Sequence, residues 1–512
     1  KYIKPQEKTL DYAFMFIPAD GLYQDLLNSR VGSLKINSNE LVSYAYLKKV
    51  MIVSPMSLFP MLQITMKALN NLKFEKEIDT VIKNVRNLSN HLANLSSYGS
   101  KFIKTPNLDK MAQDGVKLTS YYAAQAVCSA SRAAILTGCY PNRLGISGAF
   151  GPKSKRGINP DELLLSEMLK NNNYKTGIFG KWHLGDAEKF MPTNHGFDEF
   201  YGILFSNDMW PFHPEFPNAF PEDLLLYRNT EPIETLIDQS DLTKNITDES
   251  IRFIEENKDN QFFLYIAHPQ PHVPLFASKE FDGSTGEGLF ADVITEIDFS
   301  VGRVINTLEK HNLSENTIVV FTSDNGPWLS YGDHAGSSGT FREGKGTAWE
   351  GGQRVPCIIK YPNQIKAGTI IDEPVMGIDW MPTFSNLTGS ELSENKIDGK
   401  NIWPLLTQRE KNSPHDELYF YYRQNELHAV RSGDWKLYFP RSYRSLNGKP
   451  GGTNGMPVKY EMNNVTSNEL YNLKNDPSEQ NDVYKQNIEI AKKLEKIGER
   501  ARNELGDRLT NT

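Results

Sequence analysis

The stretch TIVVFTSDNGP, residues 317–327, decides how this chain folds. Its first six residues are β-branched, aromatic or both in character, and they read as a short strand buried on both faces. The run stops at Ser323-Asp324-Asn325-Gly326, where Asx residues and Gly favour a turn. Chemistry-bearing residues therefore begin where the strand ends. The same design recurs upstream. KTGIFG (175–180) runs into Lys181, Trp182 and His183, and FFLYIA (262–267) runs into HPQPHVP with His268 and His272. A further apolar run, VPCIIKY, covers 355–361. Between the runs lie helical patterns. ADVITEIDFSVGRVINTLEK (291–310) places Val293, Ile297, Val301, Val304 and Leu308 on one stripe. From about residue 97 onward the alternation predicts α/β layering.

In an open α/β sheet, ligands bind beyond the carboxyl ends of the strands. With parallel strands, one edge collects Lys181, His183, His272, Asp324 and Asn325. The Gly-Lys-Gly at 344–346 adds Lys345, and QAVCSASRAAILTG (125–138) adds Cys128 and Arg132. Cys128 stands at the start of a helical pattern, whose N-terminus favours anions and lowers a thiol pKa. Each residue alone has a plainer reading: a solvated lysine, a satisfied core histidine, a tight turn, a small buried cysteine. Placed together after successive strands, they read as a site for an anion and a hard cation.

Composition narrows the classes. The chain has 512 residues, 39% apolar and 23% charged, which suits an ordinary globular protein of several domains. A net charge of −7 gives no electrostatic footprint for nucleic acid or for an anionic membrane. Three cysteines (Cys128, Cys139 and Cys357) make neither a disulfide framework nor a zinc spacing, and the last two read as structural. No run is long and apolar enough to predict a membrane span. The first residues, KYIKPQEKTLDY, carry no hydrophobic signal-peptide core, and the compartment stays open.

Five blocks, in order, carry a resemblance: CSASRAAILTG, GKWHLG, HPQPHVP, TSDNGP and GKGTAWEGGQRVP. With TPNLDKMAQDGV (105–116) and GFDEFYG (196–202), they resemble the type I, formylglycine-dependent sulfatases over roughly 97–512. The resemblance implies an alkaline-phosphatase-like α/β sandwich with a mixed central sheet and a smaller C-terminal antiparallel subdomain. It implies hydrolysis of sulfate esters, of a carbohydrate or an artificial aryl alcohol, with a formylglycine made from Cys128 by a maturation enzyme. Hydrated formylglycine is a gem-diol: one oxygen attacks sulfur, and the other expels sulfate by re-forming the aldehyde. By matching positions, Arg132 and His183 hold the diol, and Lys181 binds it and the sulfate. Ser206, in FSNDMWP, and Lys345 contact sulfate, and His272 protonates the leaving oxygen. Asp324 and Asn325 are ligands of a divalent cation, most often calcium, and His268 lies outside the set. Ala130 stands where proline is commoner, which leaves open which maturation enzyme acts. Trp210, Phe212 and His213, in NDMWPFHPEFP (207–217), are equally readable as a sugar platform or as packing. Two alternatives stand beside this reading: a phosphate or phosphonate monoester hydrolase on the same fold, and an inactive fusion with a DNA-associated segment.

The family's first strand, ending in two metal-binding aspartates, has no counterpart between residue 97 and the Cys128 block. Residues 1–95 instead resemble a fragment of the RmuC family, with KKVMIVSP as a buried strand. Ile78, Val81, Ile82, Val85 and Leu88 mark one helical face there. YAFMFIPADGLYQDL imitates the missing strand with a single carboxylate, Asp20, and Gly21 where the second is expected. The expected organisation is a non-catalytic RmuC-like fragment (1–95), a catalytic domain lacking its first strand (96–406) and a C-terminal subdomain (407–512). The implied activity is impaired for want of the aspartate pair.

Overall fold

The computed structural model describes the backbone of residues 13–16 and 50–53, and residues 94–100, 102–213 and 220–510. The chain divides between Asn87 and Leu88 into two compact units. In the first, Ala13–Phe16 pairs in parallel with Val50–Val53, Ala13 beside Val50 and Phe16 beside Val53. Both strands fall where YAFMFIPAD and KKVMIVSP read as extended. Asp20 and the helical face from Ile78 to Leu88 lie outside the described residues.

The second unit is built on two mixed sheets. One has five strands in the order Glu231–Thr235, Leu225–Arg228, Glu199–Ile203, Lys175–Lys181, Phe262–Ala267. Its last three are mutually parallel, as the buried apolar runs require. The other has four strands in the order Val319–Thr322, Cys357–Lys360, Val116–Leu118, Thr369–Ile371. Here the VPCIIKY run lies antiparallel to Val319–Thr322, so its carboxyl end points away from that of its neighbour. That is why no functional block follows it. Gly180 lets the Lys175–Lys181 strand close onto the Phe262–Ala267 strand. Its φ is +121°, and a Cβ there would meet the Ala267 carbonyl at 2.1 Å.

Helix Leu289–Lys310 buries Val293, Ile297 and Leu308 as its periodicity predicts, together with Ile294 and Ile305. Val301 and Val304, on the same predicted stripe, are only half-buried, because they face a cavity rather than a packed strand. A third sheet follows, antiparallel throughout: Leu418–Tyr422, Glu426–Ser432, Trp435–Tyr438 and Glu469–Asn472. Its central hairpin turns at Gly433-Asp434 as HAVRSGDWKLYF predicts, and helix Ile488–Leu505 closes over it. That helix begins a few residues later than the sequence pattern, which started near 484.

A cluster of charges pins this subdomain to the catalytic unit. Lys436, wholly buried, donates to Glu350 Oε1 at 2.8 Å and to the Ala348 carbonyl at 2.8 Å. Tyr122 donates to Glu350 Oε2 at 2.6 Å, and Glu479 lies 3.7 Å from Lys436. Burial opposes charge on both carboxyls. Lys436, Arg354 and Arg431 override it at Glu350, holding it down to about 2, while Glu479 is pushed up to about 7.

Candidate active site

Three carboxyl strand ends and one helix start meet at a single place. Cys128 is the first residue of helix Cys128–Thr137, whose small Ala and Ser residues let it bury almost completely. Its Sγ lies 3.5 Å from Lys345 Nζ and 3.6 Å from Asn325 Oδ1. Burial by itself would raise the thiol pKa, but Lys181 and Lys345 outweigh it and hold the group well below the ordinary thiol range. Cys139 and Cys357 behave oppositely: burial pushes Cys139 up to about 11 and Cys357 well above its usual value. Both are free, buried and inert, as the sequence predicts.

One helical turn on, Arg132 ties the two sheets together. Its Nε donates to Asp324 Oδ2 at 2.9 Å, beyond the Val319–Thr322 strand. Its Nη1 donates to the Lys181 carbonyl at 2.6 Å, at the end of Lys175–Lys181. Lys181 Nζ donates to Ser206 Oγ at 3.0 Å, and burial, with help from Arg132, lowers its pKa.

His183 sits in the left-handed region at φ +64°, a cost on the order of 1–3 kcal/mol for a residue with a Cβ. Its backbone N–H donates to the Leu204 carbonyl at 3.0 Å, which helps hold it there. Its Nε2 lies 2.8 Å from the Phe150 carbonyl, an acceptor only, so Nε2 carries the proton. Nδ1 is then a buried lone pair that faces the Cys128 thiol. Burial and Lys181 keep this ring from charging.

By the same argument His272 carries its proton on Nδ1, which faces the Val273 carbonyl at 2.7 Å. Its Nε2 accepts from Lys345 Nζ at 2.6 Å, and the Lys345 ammonium also stands 4.7 Å over the Trp328 ring. Ser206 Oγ is 3.5 Å from His272 Nδ1.

All nine residues singled out in the sequence therefore converge. His268 does not join them. Its Nε2 meets Ser300 Oγ at 3.1 Å, and burial pushes its pKa down to about 4. Trp210 stacks edge-on against Phe212 at 4.8 Å and donates to the Leu236 carbonyl, which makes it a packed residue, whereas Phe212 is 64% exposed.

Two contributors escaped the sequence reading. Asp208 is buried 3.8 Å from His272 Nδ1 and 3.5 Å from His213 Nε2. Against the cost of burial, His272 and His213 hold its carboxyl well below the usual range. A carboxylate two residues beyond Ser206, in an aromatic loop, was the available signal. Arg444, from the C-terminal subdomain, donates through Nε to the Lys345 carbonyl at 3.0 Å, and nothing local in sequence announces it. Asp208→Asn is expected to lower turnover by about tenfold, read from steady-state kinetics, because it loosens the hold on the His272 ring. Unchanged kinetics would remove Asp208 from the site.

The comparisons agree with this geometry. The sulfatase family pattern matches residues 86–390, the pattern for the C-terminal region of aryl-sulfatase matches 413–511, and the RmuC family pattern matches 1–125. An arylsulfatase of Hemicentrotus pulcherrimus is 38% identical over 361 residues, 67% of this chain and 64% of that protein. The chain thus spans just under two thirds of that relative's length. A steryl-sulfatase of Homo sapiens is 33% identical over 474 residues, 75% of this chain and 80% of that protein. Among solved structures, Ps i-CgsB in complex with k-i-k-neocarrahexaose is 30% identical with a TM-score of 0.68, covering 80% of this chain and 89% of that one. The two mixed sheets with their antiparallel C-terminal subdomain are the alkaline-phosphatase-like fold. With the family pattern across more than half its length and the nine converging residues, the chain belongs to the sulfatase family of sulfuric ester hydrolases.

Proposed function

We propose that this chain hydrolyses sulfate monoesters at the Cys128 site, after Cys128 is converted to formylglycine by a maturation enzyme. The observation that carries the reading is the convergence on Cys128 of two ammonium groups and two imidazoles, Lys181, Lys345, His183 and His272, a setting suited to a nucleophile and an anion. A hydroxyl-bearing residue at 128 would donate to the His183 Nδ1 lone pair more strongly than a thiol does. Formylglycine, once formed, supplies a nucleophilic oxygen and a route to expel sulfate afterwards. Around it the chain's own residues divide the work. Lys181 and Lys345 neutralise sulfate oxygens, and Ser206 fixes the Lys181 ammonium. Arg132 braces the edge. His272 lies within reach of the leaving oxygen, and Lys345 at its Nε2 is the group through which a proton would be exchanged.

The implied divalent cation is a different matter. Asp324 and Asn325 are two oxygen donors, and Asp324 is already engaged by Arg132. Calcium takes six to eight, and the described residues hold no group of three or more His, Cys, Asp or Glu side chains able to bind a metal. The described donor set does not fit a complete site, and no step is assigned to the cation.

The substrate class we favour is a sulfated carbohydrate, supported by the neocarrahexaose complex of Ps i-CgsB and by the exposed Phe212, four residues beyond Asp208. No helix among the described residues is long and apolar enough to cross a membrane.

The test is co-expression with a formylglycine-generating enzyme, mass spectrometry of the peptide containing Cys128, and turnover of matched 4-nitrophenyl sulfate and phosphate. Conversion of Cys128 and slow turnover that favours sulfate are expected. Faster turnover of the phosphate ester would overturn the reading in favour of a phosphomonoesterase.

A further inference from the structure

The segment that carries His272 has little backbone structure of its own. In HPQPHVP, Pro269, Pro271 and Pro274 lack an N–H and have a fixed φ. Over 270–274 the described residues give one backbone-to-backbone hydrogen bond, from the His272 N–H to the Pro269 carbonyl at 3.1 Å. The carbonyls of this stretch therefore need donors from side chains.

Asn207 meets two of them. Its Nδ2 donates to the His272 carbonyl at 3.2 Å and to the Pro274 carbonyl at 3.0 Å. Gln270 Nε2 adds a bond to the Pro274 carbonyl at 3.2 Å. Carbonyls only accept, so the Asn207 amide sits one way round, with its nitrogen toward 272 and 274. Asn207 is wholly buried and is itself held from behind. Gln239, buried ahead of helix Leu242–Asn257, donates through Nε2 to the Asn207 backbone carbonyl at 3.2 Å.

Topology explains the reach. Glu199–Ile203 and Phe262–Ala267 lie on either side of Lys175–Lys181, each parallel to it. Asn207 follows the first and His272 the second. The amide thus ties two loops that start two interstrand spacings apart, about 9.5 Å, across the end of the strand that delivers Lys181. The sequence neighbours of Asn207 address the ring instead: Ser206 Oγ lies 3.5 Å and Asp208 3.8 Å from Nδ1, while Nε2 meets Lys345 at 2.6 Å. Those contacts orient the imidazole. The Asn207 amide sets where its backbone stands.

We propose that Asn207 is a positioning residue for protonation of the leaving group. It clamps the backbone at 272 and 274 so that the His272–Lys345 pair stands at the oxygen the alcohol carries away. As sulfur bonds to the attacking oxygen, its bond to the alcohol oxygen breaks. The alcohol oxygen keeps the bonding electron pair and takes one proton from the His272–Lys345 pair, which recovers a proton from solvent before the next turnover. Asn207 acts through His272 and touches no substrate atom. The inference rests on the sulfatase reading and adds a residue to it.

The test uses the full 512-residue chain, co-expressed with a formylglycine-generating enzyme, and two esters, 4-nitrophenyl sulfate and phenyl sulfate. Nitrophenolate leaves readily without a proton, whereas the more basic phenolate gains more from one. His272→Ala is the reference, expected to lower kcat/KM for phenyl sulfate about tenfold more than for 4-nitrophenyl sulfate. Asn207→Ala is expected to show the same selectivity, about threefold or more, which a general loss of folded protein would not produce. Where Asn207→Ala does not fold, Gln239→Leu, which frees the Asn207 backbone but keeps its amide, decides in its place by the same ratio. Selective loss in His272→Ala with equal losses on both esters, or none, in the deciding variant would overturn the inference and leave the reading standing. No selective loss in His272→Ala, or no sulfate turnover by the parent, would overturn the reading of the site and the inference with it.

Discussion

Alanine in place of Cys128 is expected to remove sulfate release by about 10³-fold or more, because no other group at the site can take its place as nucleophile. Lys181 and Lys345 would still bind the anion, so the loss should fall on kcat rather than on KM. Stability should change little. The thiol is small and its hydrogen bonds are the weak ones of sulfur, with Lys345 and Asn325 at 3.5 and 3.6 Å, so deleting it leaves a small gap. Ion chromatography of released sulfate and a thermal melt on the same preparation separate the two effects. Residual turnover within tenfold of the parent would mean that Cys128 is not the reacting position, and the converging geometry would need another nucleophile.

The second large effect concerns stability. Lys436→Met is expected to cost about 3–5 kcal/mol, because it removes the ammonium facing buried Glu479 and one of the two cations paired with buried Glu350, which keeps Arg354 at 3.2 Å. The loss should depend on pH with a definite sign. Without Lys436, the folded-state pKa of Glu479, already pushed up to about 7, rises further above that of the unfolded chain, while Arg354 and Arg431 still hold Glu350 down. Groups raised in this way contribute stability below the unfolded pKa and lose it as pH rises through the folded value. The variant's deficit should therefore grow as pH rises through about 7, as read from urea unfolding at each pH. A deficit independent of pH would show that Lys436 acts through packing over the Phe420 ring, 4.2 Å away, and not through its charge. The cluster ties the antiparallel subdomain to Glu350, five residues beyond Lys345, so the same variant should also loosen the site.

How much of this was legible without coordinates follows from the range of each signal. The strands and the groups that follow them were readable because apolar runs and turn residues are local, and the carboxyl end of a strand is where an α/β sheet presents chemistry. Lys181, His183, His272, Asp324 and Asn325 were placed on that basis, and the order of the blocks brought in Cys128, Arg132, Ser206 and Lys345. The change of pattern near residue 96 is a reading of the sequence alone; the two family patterns overlap there, over residues 86–125.

Tertiary structure decided what depends on partners distant in the chain. Arg132 reaches Asp324 and the Lys181 carbonyl across 192 and 49 residues, so nothing in SASRAAI could show that it braces two sheets. Asp208 gained its meaning from His272 and His213, and Lys436 from Glu350, 86 residues away. Val301 and Val304 give the clearest case. Periodicity assigned them to a buried stripe, since it reports which face of a helix is apolar. It carries no information on whether a strand stands opposite that face. Only the folded chain shows that, among the described residues, they face a cavity lined by Phe262–Ala267 and Val319–Thr322.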